Sequence, residues 1–132
     1  MKFPMRTPAQ SILLLAVFTA VGQGADQAPA AGDANRGRAL FQQTCALCHA
    51  TGLGGAAPAT PGPLLAGVVG RPSASLPNFP YTKALEAAHL TWDSATLDRF
   101  LAGPTILVPG TVMPIPVADP VDRRDLIAFM AT

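Results

Sequence analysis

Two thiols and an imidazole within five consecutive positions, Cys45-Ala46-Leu47-Cys48-His49, constrain this chain more than any other stretch. At the end of a helix, side chains at i and i+3 lie on one face. Both sulfurs can then reach the two vinyl groups of one haem and form thioethers, which carries His49 onto the iron. This is the c-type attachment pattern. A structural zinc site would need four ligands, and the chain offers only Cys45, Cys48, His49 and a His89 that lies forty positions on. A thiol redox pair wants a strand-helix-strand setting, whereas these cysteines follow an amphipathic helical pattern and precede a Gly/Pro-rich loop.

With 132 residues there is room for one domain. Residues 1–25 place Lys2 and Arg6 ahead of the apolar run Ile12-Leu13-Leu14-Leu15-Ala16-Val17-Phe18 and then small residues, the layout of a secretory signal peptide. The run is about half the roughly twenty residues a bilayer crossing requires, so no membrane span is expected after cleavage. Residues 26–32 read as a flexible lead-in and 33–132 as the folded domain. Loss of Lys2 and Arg6 leaves seven basic against eight acidic side chains, with Lys83 the sole remaining lysine. That balance argues against nucleic acid, which demands a basic patch. Twelve of the fourteen prolines fall beyond the leader, and proline cannot donate to a sheet ladder. An all-α architecture of about four short helices and Pro/Gly-rich loops wrapped around one covalent haem follows.

The helical pattern of residues 34–46 starts from Asp33 as N-cap, with Gly37, Leu40, Phe41 and Cys45 on one side. Glycine inside a helix costs about 1 kcal/mol relative to alanine, so Gly37 implies a closely packed neighbour. Residues 50–80 carry Gly/Pro clusters and no period, which predicts a loop draped over something. A short helix is expected over Tyr81–Ala88 from Thr82, and another opening at Thr91 or Trp92 with the stripe Leu97, Phe100 and Leu101 until Gly103-Pro104 stops it. Residues 104–120 read as a second loop. The last helix takes Asp119 as N-cap and Pro120 as its first residue and buries Leu126, Phe129 and Met130.

A haem iron held by one histidine has a sixth position whose occupant decides the function. Met113, Met130 and His89 are the candidates. Met130 shares a helical stripe with Leu126 and reads as core, and His89 sits near a helix end, where an imidazole needs no special role. Met113 lies in a loop stiffened by Pro109, Gly110 and Pro114, which offers the thioether in one direction at low entropic cost. His/Met ligation leaves no open position and favours outer-sphere electron exchange.

From Gly32 to Met130 the chain resembles the class I c-type cytochromes, the mitochondrial and bacterial c2-like branch. Beyond the pentapeptide, Gly62-Pro63-Leu64-Leu65, Gly70-Arg71, Phe79-Pro80-Tyr81-Thr82, Thr91-Trp92, Pro109-Gly110-Thr111-Val112-Met113 and Arg124-Asp125-Leu126-Ile127-Ala128-Phe129 follow in the family's order. The resemblance implies haem c on Cys45 and Cys48, with His49 and Met113 as axial ligands and the Pro63 carbonyl accepting a hydrogen bond from His49. It also implies that Arg71, Tyr81 and Trp92 face the haem propionates and that Gly37, Phe41, Leu126 and Phe129 join the first and last helices. Phe100 stands where the family usually has a tyrosine. Thr105, Ile106 and Val112 replace the family's lysines, so the face that includes Val108, Val112, Ile115 and Val117 reads as apolar and nearly uncharged.

The expectation is a monohaem electron carrier of the bacterial periplasm and not an enzyme. Its partners would be redox proteins: a donor such as a quinol-cytochrome c reductase or a periplasmic dehydrogenase, and an acceptor such as a terminal oxidase. It would be a monomer or a subunit of a redox complex. The alternative is a haem c subunit or electron-acceptor module bound permanently to a periplasmic dehydrogenase.

Overall fold

The computed structural model describes residues 31–50 and 60–132. Among the described residues five α-helices follow one another: α1 Ala34–Leu40, α2 Lys83–Ala87, α3 Ser94–Ala102, α4 Pro104–Leu107 and α5 Pro120–Met130. The described residues contain no strand, only a single antiparallel bridge between Pro72 and Thr91. The leader and most of the lead-in lie outside the described residues, as does part of the first loop.

Local signals set most of the helix starts. The Asp33 carboxylate accepts the N–H groups of Asn35 and Arg36, Thr82 caps α2 through the N–H of Leu85, and Asp119 caps α5 through that of Val121 with Pro120 next in line. Two expectations need correction. α3 opens after Asp93, whose carboxylate accepts from Thr96 N at 2.7 Å. Trp92 lies outside α3 because its N–H donates to the Arg71 carbonyl at 2.9 Å, which holds it in extended pairing with residues 70–73. Residues 104–107, expected as loop, form α4. Pro104 both ends α3 and starts the next helix, since a proline at the first position forfeits no hydrogen bond that the helix would have made.

The helices close over two adjoining apolar clusters. Phe41, Leu126 and Phe129 form one, with the Phe41 and Phe129 rings edge-on at 5.4 Å. Val68, Trp92, Leu97, Phe100, Leu101, Val108 and Ile127 form the other. Leu65, Val117 and Met130 touch both; Met130, expected to be buried, is half-buried between them.

The α1–α5 crossing is the most extensive helix contact, and Gly37 is its pivot. A Cβ there would overlap the Asp125 carbonyl and sit 3.0 Å from Phe129 Cβ. Beside this contact the buried Asp125 carboxylate accepts the backbone N–H of Asp33 at 2.8 Å and the Arg36 guanidinium, which also bonds Asp122. The Asp33 N–H first and Arg36 second hold the Asp125 carboxyl below the usual carboxylate range. A lowered folded pKa contributes stability above the unfolded value of about 4 that is lost as pH falls through the folded one. Thermal melts of wild type should therefore show a midpoint that drops on acidification below about pH 4. Asp125→Asn should melt several degrees lower at neutral pH, with a shallower acid dependence. Parallel acid profiles for the two proteins would contradict this.

Candidate functional site

The first helix does not end cleanly at Leu40. It widens into one π-helical turn over Phe41–Cys45, in which the Ala46 N–H reaches back five residues to the Phe41 carbonyl at 2.8 Å. Such wide turns are rare and recur at functional sites. Here the turn ends on Cys45, whose carbonyl then accepts from both Cys48 N (3.1 Å) and His49 N (2.9 Å). The tight Cys45–His49 turn puts the two thiols and the imidazole at one helix end, with Cys45 half-buried and Cys48 exposed. Burial pushes the Cys45 thiol above its ordinary pKa. Among the described residues no three His, Cys, Asp or Glu side chains converge as a metal-ion site.

Residues 60–65 fold back on this turn. Gly62 N donates to the Cys48 carbonyl at 2.7 Å and Leu65 N to that of Ala50 at 3.1 Å, while Thr60 Oγ1 bonds the Gly62 carbonyl. The fold-back brings the Pro63 carbonyl to 2.8 Å from His49 Nδ1. A carbonyl only accepts, so Nδ1 carries the proton and Nε2 is the nitrogen left with a free lone pair. Gly62, to which the sequence reading gave no role of its own, lies against the imidazole: a Cβ there would sit 2.5 Å from His49 Cε1 and 2.6 Å from Nδ1. The local signal was the Gly-Pro pair, but its meaning depends on a contact across thirteen positions.

The remaining candidates are spread around the same interior. Trp92 is buried with its ring 5.0 Å from that of Phe100, and its backbone is bonded to Arg71. The Arg71 guanidinium donates to the carbonyls of Leu64 (2.8 Å) and Ala66 (2.9 Å), bracing the segment next to Pro63. Tyr81 is half-buried, its ring 4.8 Å from Phe79. Met113 is half-buried against the larger cluster, directly after a bend at Val112, where Thr111 Oγ1 lies 3.4 Å from the Met113 N–H. His89 is exposed with a left-handed backbone, φ 48°. The expected apolar face is revised. Val108 is 2% exposed and Val117 half-buried, so both belong to the core, whereas Val112 and Ile115 are exposed together with Ile106 and Leu47.

Two thiols and an imidazole with one engaged nitrogen, set on an all-α wrapper with an apolar interior, fit a c-type haem and define a c-type haem protein. The chain belongs to the cytochrome c family, whose model matches residues 34–132. It is 44% identical over 104 residues to cytochrome c2 of Rhodomicrobium vannielii, covering 78% of this chain and 81% of that one. Cytochrome c-554 of Methylosinus trichosporium is 35% identical over 122 residues, 92% of this chain and 90% of its own. The solved structure of cytochrome cH from Methylobacterium extorquens matches with a TM-score of 0.66 and 38% identity over 75% of this chain and 97% of its own. The protein is a monohaem electron-transfer cytochrome with one covalently bound haem c, its partners are redox proteins, and no helix among the described residues is long and apolar enough to cross a membrane.

Proposed function

We propose that the protein is a periplasmic electron carrier, not an enzyme, that passes single electrons between respiratory-chain partners with its haem held by Cys45 and Cys48 and ligated by His49 and Met113. The observation that carries this reading is the 2.8 Å hydrogen bond from His49 Nδ1 to the Pro63 carbonyl. It fixes the tautomer, orients the ring and leaves Nε2 as the atom that would meet the iron. When bound, the haem supplies a one-electron couple whose potential a soft thioether ligand raises. The residues do the rest. Gly62 leaves room for the imidazole, the Arg71 bonds brace the loop that presents Pro63, and the apolar clusters keep water from the interior.

Met113 is favoured over Met130 because Met130 is committed to both clusters, and over His89 because that side chain is exposed. Arg71, Tyr81 and Trp92 are proposed to meet the propionates, which need partners if buried. Residues 1–25 are proposed as a cleaved export leader, 26–32 as a lead-in and 33–132 as the cytochrome domain. Redox titration of protein isolated from the host periplasm, with its visible spectrum and intact mass, tests this. A one-electron couple, a charge-transfer band from an iron–thioether bond and a mass lacking residues 1–25 are expected. A spectrum typical of an open sixth position would contradict it.

A further inference from the structure

Met113 begins a stiff bridge, Met113-Pro114-Ile115-Pro116-Val117. Each proline fixes its own φ and keeps the residue before it extended, so four consecutive residues have little freedom. Residues 114–116 are exposed, whereas Met113 and Val117 are half-buried. Where Met113 stands is therefore set from the two ends. On the entry side Val108 N donates to the Pro104 carbonyl at 2.9 Å and Thr111 N to the Val108 carbonyl at 3.1 Å. The third residue of that turn, Gly110, has φ 92°, which glycine adopts freely. On the exit side Val117 N donates to the Leu101 carbonyl of α3 at 2.8 Å.

A side chain completes the exit. Arg123 lies on α5 with its side chain 12% exposed. Its Nη1 donates to the carbonyls of Val117 at 3.0 Å and Ala118 at 2.8 Å, and its Nε donates to Asp98 Oδ1 on α3 at 2.7 Å. We propose that Arg123, supported by Asp98, is a positioning residue for the Met113 thioether: it clamps the far end of the bridge between α3 and α5. This deepens the reading above that Met113 ligates the iron. A guanidinium suits the task because its donors lie in one rigid plane and reach several acceptors at once, whereas a lysine ammonium is a point donor on a flexible stem. Asp98 turns that plane and neutralises a cation that is costly to leave unpaired below the surface. Without the clamp Val117 can shift, and the stiff residues between pass the shift to Met113. The ion pairs of Arg36 with Asp122 and Asp125 lie at the α1–α5 contact instead.

Imidazole competes with a thioether for ferric iron, so its dissociation constant on the oxidised holoprotein reads how firmly Met113 is held. Arg123→Lys keeps the charge and loses the fork. It should bind imidazole about tenfold more tightly than wild type, the scale on which losing one hydrogen bond to a charged group moves an equilibrium. Its thioether charge-transfer band should bleach at correspondingly lower imidazole. Asp98→Asn keeps an acceptor oxygen without its charge and should tighten imidazole by about threefold. Arg36→Gln serves as the contrast: it should lower the denaturant midpoint but move imidazole binding by less than about twofold, because its contacts hold helices and not the bridge. An Arg123→Lys constant within about twofold of wild type would overturn the proposal. So would imidazole affinity that rises equally in Arg123→Lys and Arg36→Gln, since that would track stability alone. Failure of the ligand reading would show separately, as a Met113→Ala protein that binds imidazole no better than wild type.

Discussion

Replacing Met113 with alanine is expected to lower the midpoint potential by on the order of hundreds of millivolts, since axial ligands move haem potentials over about 0.8 V. Among the sulfur side chains beyond residue 25, Met113 is the one held by a proline-fixed loop rather than by a helix stripe, half-buried between exposed Val112 and Pro114. With Met113 as the proposed iron ligand, its removal would delete a soft donor that favours the reduced state, and added imidazole should then bind and alter the visible spectrum. Met130→Ala provides the contrast. That side chain joins the two apolar clusters, so its loss should cost about 2 kcal/mol of stability while the potential moves little. Potentiometric titration of both variants decides. A Met113→Ala potential equal to wild type would remove Met113 from the iron.

The second large effect concerns the scaffold. Gly37→Ala should destabilise the protein by about 3 kcal/mol or more, a fall in melting temperature of roughly 12 °C or more for a domain of this size. The new methyl would overlap the backbone carbonyl of Asp125 and crowd Phe129 Cβ. Backbone cannot step aside as the end of a flexible side chain can, so α1 and α5 must separate. Separation would loosen the Asp33 and Arg36 bonds to Asp125 and open the Phe41–Phe129 contact. Gln42→Ala, one turn on and exposed, should stay within about 0.5 kcal/mol of wild type. Denaturant melts of the two variants measure the difference, and a Gly37→Ala loss below about 1 kcal/mol would contradict this packing account.

What was legible beforehand was local chemistry. Asp33, Thr82 and Asp119-Pro120 announce helix starts because a cap acts within three residues of itself. The Cys45–His49 stretch announces its cofactor because the attachment spacing is contained in five positions. Contacts between distant segments were not legible from pattern. Gly37 showed that something packs against it, but only the resemblance named the last helix, and nothing foretold that Asp125 would bond the Asp33 N–H across 92 positions. Pro104 carries a stop and a start signal at once, which hid α4. Val108 and Val117 sit in a loop with no period to expose their burial, so a surface was expected where the fold has core. The place of Gly62 against His49 depends on how the intervening loop closes, a tertiary fact.

The proposed ligand pair, His49 and Met113, is tested most directly at the methionine methyl groups. Label the methionine methyl groups with carbon-13 and record the reduced holoprotein by NMR. One methyl should be displaced far upfield by the ring current of the haem beside it, and that signal should vanish in Met113→Leu while surviving in Met130→Leu. A spectrum with every methyl at an ordinary position, or a displaced signal that disappears with Met130 instead, would contradict the account.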